Sequence, residues 1–150
     1  MISGQNYLIS RISFEQTYDL RHRIMNPEKS INQIKRQDDE KALYLGAIRF
    51  KTKHIIGIAS FFNEKLPNQS EDQRTYRIRG MAVEEKYQKN GIGKALVLHA
   101  MNHLQANVYW CNSRINAVYF YKRLGFKKIS NKINIIGFGE RYLMVKKDNF

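Results

Sequence analysis

Cysteine, proline and acidic side chains are all scarce in this 150-residue chain. It has one cysteine, two prolines, and 13 Asp plus Glu against 26 Lys plus Arg. The lone cysteine, Cys111, excludes an internal disulfide, so nothing argues for an oxidising compartment. With 43% hydrophobic and 26% charged residues the composition is that of a globular protein, neither disordered nor fibrous. No uninterrupted apolar run approaches the roughly 20 residues of a membrane-spanning helix. The first residues lack the basic start and apolar run of a signal peptide. A cytoplasmic location without a membrane partner is expected. The length suits one domain over residues 1–150, with a core large enough to need no staple.

The shortage of acids leaves a formal charge of +13. Such a field attracts anions, whether nucleic acid, an acidic surface or a polyphosphate. The basic residues are scattered rather than gathered in a tail, and no basic stripe interleaved with aromatics appears, so no nucleic-acid partner is expected. His22, His54, His99 and His103 show no metal-ligand spacing with carboxylates or Cys111. His99 and His103 share one helix face, but two ligands are too few, and no metal is implied.

Residues 7–12 read as a first strand. Ser13 is placed to cap a helix over 14–25, which Asn26-Pro27 stops, and a short polar helix follows at about 31–36. Residues 42–50 and 54–62 are apolar and β-branched and read as a hairpin joined by Lys51-Thr52-Lys53. Gly57 inside the second of these strands suggests a close approach by neighbouring backbone. Residues 63–73 are a polar loop, and the alternation over 74–83 gives a fourth strand. A helix is expected from about 91 to 105, with Ala95, Leu96, Leu98, His99 and Leu104 on its buried side. The short apolar run 108–111 is a fifth strand, presumed central. A helix over 115–124 ends at Gly125, and two strands, about 126–135 and 141–146, complete the chain. The whole is an α/β layer architecture with a mixed sheet.

Between the fourth strand and the helix at 91 lies Gln88-Lys89-Asn90-Gly91-Ile92-Gly93. Strand, glycine loop and helix together make an anion site, because glycine lets backbone approach the anion and the helix start offers unpaired N–H groups. Two phosphate loops are excluded. A Walker loop needs glycine where Gln88 stands and Ser or Thr where Ala95 stands. A dinucleotide fingerprint needs glycine or alanine where Leu96 stands.

The stretch resembles the Gln/Arg-x-x-Gly-x-Gly/Ala loop of the GNAT acetyltransferase superfamily. Met81-Ala82-Val83 sits just before the loop, as that family's fourth strand does. Residues 116–126, ending in Tyr121-Lys122-Arg123-Leu124-Gly125-Phe126, are similar to its Tyr-x-x-Leu-Gly-Phe helix. The likeness covers about residues 40–146. Residues 110–121 resemble a bacterial subgroup of small acetyltransferases whose chains end in Gly-x-His-Tyr-x-Met; here Arg141 stands in the place of that histidine.

The resemblance implies a mixed, mostly antiparallel sheet of about seven strands flanked by about four helices, with strands four and five splayed around the pantetheine arm of acetyl-CoA. It implies that the backbone of Met81, Ala82 and Val83 pairs with that arm, and that one N–H polarises the thioester carbonyl. Gln88, Lys89, Asn90, Gly91, Ile92, Gly93 and Lys94 would hold the pyrophosphate, with side-chain contacts from Gln88 and Lys94. Tyr121 is the candidate acid for the departing thiolate, since a phenol with pKa about 10 is matched to a thiol. Asn112 and Asn116 are candidates for the pantetheine amides, although Asn112 equally suits a helix cap. Glu84 and Glu85 lie where a base for the amine is needed. Arg21, Arg23, Arg79 and Arg141 are candidates to clamp an anionic group of the acceptor, with helix C-terminal placement an alternative for Arg21 and Arg23. Lys122, Arg123, Lys127 and Lys128 cluster and suit either a phosphate or solvent. The expected activity is acetyl-CoA-dependent N-acetylation of a small-molecule or protein amine by a monomer or homodimer. A non-catalytic acyl-CoA sensor and a nucleic-acid-binding protein are the rival classes, and Tyr121 favours the enzyme.

Overall fold

A computed structural model of the chain describes residues 6–35, 41–67, 69 and 73–148. Backbone contacts divide the chain into two compact units: Met1–Phe62 with Gly80–Leu104, and Asn63–Arg79 with Gln105–Phe150.

The first unit begins with β1 (Tyr7–Arg11), β2 (Ala42–Arg49) and β3 (Ile55–Phe62), an antiparallel series running from Tyr7↔Arg49 in one ladder to Ala42↔Phe62 in the next. It also holds the C-terminal half of β4 (Thr75–Val83). Seven of the eight residues of β3 are buried, so both faces of the strand are covered.

Between β1 and β2 the chain is helical but not one α-helix. A 3-10 turn (Glu15–Thr17) leads into α1 (Tyr18–Leu20) and a π turn (Arg21–Met25). Ser13 starts it as expected: its hydroxyl accepts from the Gln16 N–H at 3.3 Å, and Gln16 Oε1 accepts from the Ser13 N–H at 2.8 Å. The expected continuous helix over 14–25 is broken because side chains compete for its backbone. The Thr17 hydroxyl donates to the Phe14 carbonyl, and the buried Arg21 donates to Thr17 Oγ1 and to the Ile34 carbonyl. α2 (Ile31–Ile34) carries a Ser30/Gln33 capping box, and its expected end at Arg36 lies outside the described residues.

α3 (Ile92–Leu104) covers the first unit's strands with Ile92, Leu96, Val97, Ala100, Met101 and Leu104. The expected buried positions Leu98 and His99 are exposed instead, Leu98 by 48%. In an apolar run with several possible stripes, sheet contact selects the one that includes Val97 and Met101. Gly57 makes the contact possible. A Cβ there would lie 2.7 Å from Ile92 Cγ2 and 3.4 Å from Leu96 Cδ1, so the close approach is by helix side chains, not by backbone.

The second unit holds the N-terminal half of β4, β5 (Val108–Arg114), a 3-10 turn (Ile115–Ala117), α4 (Val118–Arg123), β6 (Lys127–Lys128), β7 (Ile133–Ile135) and β8 (Gly139–Lys147). β4 runs parallel to β5, with a ladder from Thr75↔Val108 to Arg77↔Trp110. β5 is antiparallel to β8 from Val108↔Lys147 to Arg114↔Arg141. That ladder draws polar Asn112, Ser113 and Arg114 into a strand expected to stop at Cys111. The expected strand over 126–135 is split into β6 and β7, because the Ser130 hydroxyl accepts from the Leu143 N–H and replaces a backbone rung. Gly125, at φ 97°, ends α4.

The hydrogen-bonded strand order is β1-β2-β3-β4-β5-β8-β6, with β7 also on β8. The result is the mixed α/β architecture expected, mostly antiparallel, with a short parallel β4–β5 pair.

Gly57→Ala should destabilise the protein by about 1–3 kcal/mol through overpacking. Urea denaturation checks this, and stability equal to wild type would show that Ile92 yields freely.

Candidate active site

The glycine loop is built within the first unit. After Val83 a 3-10 turn (Glu85–Tyr87) reverses the chain, with Tyr87 N–H bonded to the Glu84 carbonyl at 2.9 Å. The Gln88 side-chain amide then reaches back and donates to the Val83 carbonyl at 2.9 Å. Asn90 Nδ2 donates to the Tyr87 and Gln88 carbonyls at 3.2 and 3.0 Å. Gln88 and Asn90 therefore brace the loop with their side chains, and the Val83 carbonyl accepts one of these bonds. Arg49 bonds the Tyr87 hydroxyl and lies over its ring, tying the turn to β2. Lys89 and Gly91 take positive φ, 65° and 82°. The first intrahelical bond runs from the Ala95 N–H to the Gly91 carbonyl, so the N–H groups of Ile92, Gly93 and Lys94 lie at the helix start, where no helical carbonyl precedes them. Lys94 is exposed and Gly93 half-buried.

Glu84 follows β4, its N–H bonded to the Ile56 carbonyl at 2.8 Å. Its carboxylate receives both terminal nitrogens of Arg23, at 3.0 and 3.2 Å, while Arg23 also grips Asp19 at 2.9 Å. The hydrogen bond from Arg23 holds the Asp19 carboxyl below its usual range, and the two carboxylates raise the Arg23 pKa. Arg23 is thus already paired. Arg21 is 1% exposed and bonded within the first unit, which corrects its assignment to an acceptor clamp. A side chain that completes a buried network cannot leave it for a ligand without stranding a charge.

The second unit holds Tyr121, 7% exposed, with its ring packed edge-on against Phe120 and Phe126 at 5.1 and 5.3 Å. The thiol of buried Cys111 is its neighbour. Burial, then the neighbouring thiol, pushes the phenol well above 10, while burial raises the Cys111 thiol to about 12. Both groups therefore stay protonated at neutral pH. Tyr119 is 70% exposed, under the Arg123 guanidinium. Asn112 is half-buried on β5, Asn116 is exposed, and neither caps the turn, whose N-cap residue is Arg114. Arg77 lies over Trp110 and pairs with Glu64 at 3.1 Å, and its pKa is lowered by burial and by Arg79. Arg141 lies opposite Arg114. Lys122, Lys127 and Lys128 line an open cleft of about 440 Å³ with Gly125 and Phe126.

Met81, Ala82 and Val83 end β4, with Ala82 buried in the first unit's core beside Ile58. Sequence reading missed the Asp19 and Arg49–Tyr87 braces and the placing of Cys111 beside Tyr121. Only Asp19–Arg23, at helical i,i+4 spacing, carries a local signal. Among the described residues no cluster of three or more potential metal ligands occurs, and no helix is long and apolar enough to cross a membrane.

A sheet with a short parallel β4–β5 ladder, and a glycine loop opening a helix directly after β4, define a class of acyl-transfer domains. The family model for the acetyltransferase (GNAT) family matches residues 9–126, and the chain belongs to that family. It is an N-acetyltransferase. It is 36% identical to uncharacterized N-acetyltransferase YitI of Bacillus subtilis (strain 168), over 92% of this chain and 94% of that one. Its fold is similar to that of the ribosomal-protein-S18-alanine N-acetyltransferase from Escherichia coli (TM-score 0.71, 19% identity, 94% of this chain and 93% of that one). It is also similar to that of an aminoglycoside 6'-N-acetyltransferase complexed with coenzyme A (TM-score 0.71, 14% identity, 93% and 96%).

The raised Cys111 pKa has a consequence for stability. The unfolded chain loses the thiol proton near 9 and the folded chain near 12. Stability from this group is complete below pH 9 and falls as pH rises from there, by up to about 1.4 kcal/mol per pH unit. Denaturation at pH 8 and pH 10 should show this loss, and Cys111→Ala should reduce it. Identical losses in the two proteins would rule the thiol out as its source.

Proposed function

We propose that the protein transfers the acetyl group of acetyl-CoA to a primary amine by direct attack. The observation that carries this reading is the braced loop. Five hydrogen bonds from Tyr87, Gln88 and Asn90 hold residues 83–90 so that the N–H groups beginning α3 stand together at its positive end. In the proposal these N–H groups, with Lys94, take the pyrophosphate. The backbone of Met81, Ala82 and Val83 pairs with the pantetheine arm, and one N–H there polarises the thioester carbonyl. Asn112 and Asn116 bond the arm's amides.

The amine nitrogen attacks the carbonyl carbon, the C–S bond breaks, and the electron pair leaves on sulfur. Tyr121 donates its proton to that sulfur. Its high pKa keeps the proton in place until a thiolate forms. Glu84 takes the proton lost by the amine, through water, once Arg23 yields one of its bonds. The acceptor is a small-molecule or protein amine, as the names of the two similar structures indicate for those enzymes. The setting is the cytoplasm, with the protein as monomer or homodimer.

Calorimetry with acetyl-CoA tests the reading, and micromolar, one-to-one binding is expected. Gly93→Glu should abolish that binding by placing bulk and negative charge at the anion site; a folded variant that still binds would show the loop assignment to be wrong. Tyr121→Phe should lower turnover by at least about tenfold with acetyl-CoA affinity nearly unchanged. Unchanged turnover would remove Tyr121 as the acid.

A further inference from the structure

The hairpin that joins β7 to β8 turns an apolar side chain outward at its tip. The turn runs Ile135-Ile136-Gly137-Phe138 and is closed by the Phe138 N–H on the Ile135 carbonyl at 2.9 Å. Its one conformational demand, a positive φ, is met by Gly137 at 82°. Position 136 therefore accepts a polar residue, and turns ordinarily carry one. Here it holds an isoleucine that is 98% exposed, and Ile129, Ile133 and Phe138 are exposed within the same ten residues. A Cβ on Gly137 would meet nothing within 4 Å, so open space lies beside the turn. Neither the turn nor the core explains Ile136, and clustered exposed apolar side chains mark a surface that something else covers.

Charge identifies what covers it. Residues 122–147 hold eight Lys and Arg against a single acid, Glu140, and that acid is held by Lys132 at 2.8 Å. The other cations stand behind the tip in ladder order. Along β8, Gly139 adjoins the turn, Arg141 is opposite Ile133, and Met144 is opposite Lys128. At about 3.3 Å per residue, Arg141 lies about 7 Å and Lys128 about 17 Å behind Gly139. Lys127 and Lys128 are exposed. A tip that enters a bilayer interface by about 5–10 Å sets Arg141 among the headgroups. It brings Lys127 and Lys128 within reach of an anionic surface potential.

We propose that this hairpin docks the protein on an anionic lipid bilayer, with Ile136 entering the interface and the basic residues behind it against the headgroups. Such a contact is peripheral and needs no spanning helix, and it revises the expectation of no membrane partner. It is independent of acetyl transfer. Two other occupants fit less well. A second copy docked across a two-fold axis would set the same basic surface against itself, and like charges repel. Nucleic acid would match the charge but not the tip, because bases stack on aromatic rings and three of the four exposed apolar side chains are isoleucines.

Co-sedimentation with vesicles tests the contact. Phosphatidylcholine vesicles containing about 30% phosphatidylglycerol should bind the protein, phosphatidylcholine alone should not, and added salt should weaken the binding. Ile136→Asn should lower the partition coefficient by about tenfold or more, the effect of losing one buried aliphatic side chain. Because the residue is exposed, the melting temperature and acetyl-CoA affinity of this variant should match wild type. Replacing Lys127 and Lys128 together by Gln should lower partition by about fivefold per charge. Ile136→Trp should bind as wild type does, and brominated acyl chains should quench its added fluorescence.

The proposal is overturned if the anionic vesicles bind no protein, if they bind Ile136→Asn as well as wild type, or if bromine leaves the added tryptophan unquenched. A lower melting temperature of Ile136→Asn also overturns it, by making Ile136 part of the fold. A wild-type dimer that Ile136→Asn converts to monomer decides instead for a second copy. Binding of a single-stranded oligonucleotide that Ile136→Asn abolishes decides for nucleic acid.

Discussion

The Gln88 side-chain amide on the Val83 carbonyl is the interaction from which the rest of the loop's geometry follows. It closes five residues of chain onto the end of β4, and Asn90 then stitches the far side of the closed loop to its near side. A loop without such bonds would present the start of α3 at varying angles, and its N–H groups would not converge. Anion binding by backbone depends on convergence more than on charge, because each N–H contributes only when aimed. Arg49 on the Tyr87 hydroxyl and the close seat of Ile92 on Gly57 hold the loop and the helix to the same sheet.

A second constraint is the scarcity of acids, 13 against 26 basic residues. The fold uses other acceptors. Arg21 bonds a hydroxyl and a carbonyl, and Arg49 a phenol. Aromatic faces take others, including Tyr119 under Arg123 and Tyr142 under Lys128. Cations that look like ligand-binding candidates by residue type therefore divide into those that complete the core and those that retain outward donors. Arg21 belongs to the first group.

Tyr121 and Cys111 illustrate how burial changes two neighbouring acids together. A phenol in solvent would exchange its proton freely near pH 10. Inside the second unit, beside a thiol that itself ionises only near 12, it holds its proton to well above pH 10. The apolar packing from Phe120 and Phe126 that raises its pKa also sets its orientation.

Sequence alone carried the order of strands and helices, the glycine loop and the Tyr-x-x-Leu-Gly-Phe segment, since each depends on residues adjacent in the chain or on local periodicity. Ser13 as a cap and Gly125 as a stop were legible for the same reason. The parts that sequence could not carry depend on partners far apart in the chain. Three are the π turn made by Arg21 reaching Ile34, the break at Ser130 made by Leu143, and the extension of β5 through Arg114 made by β8. The stripe of α3 that turns inward, with Val97 buried and Leu98 exposed, was decided by the sheet it meets. The two arginines at 114 and 141 are 27 residues apart, and only strand register brings them face to face. Local composition selects the elements, but pairing between distant strands decides which side chains meet, because that register is set by burial and hydrogen bonding across the whole ladder.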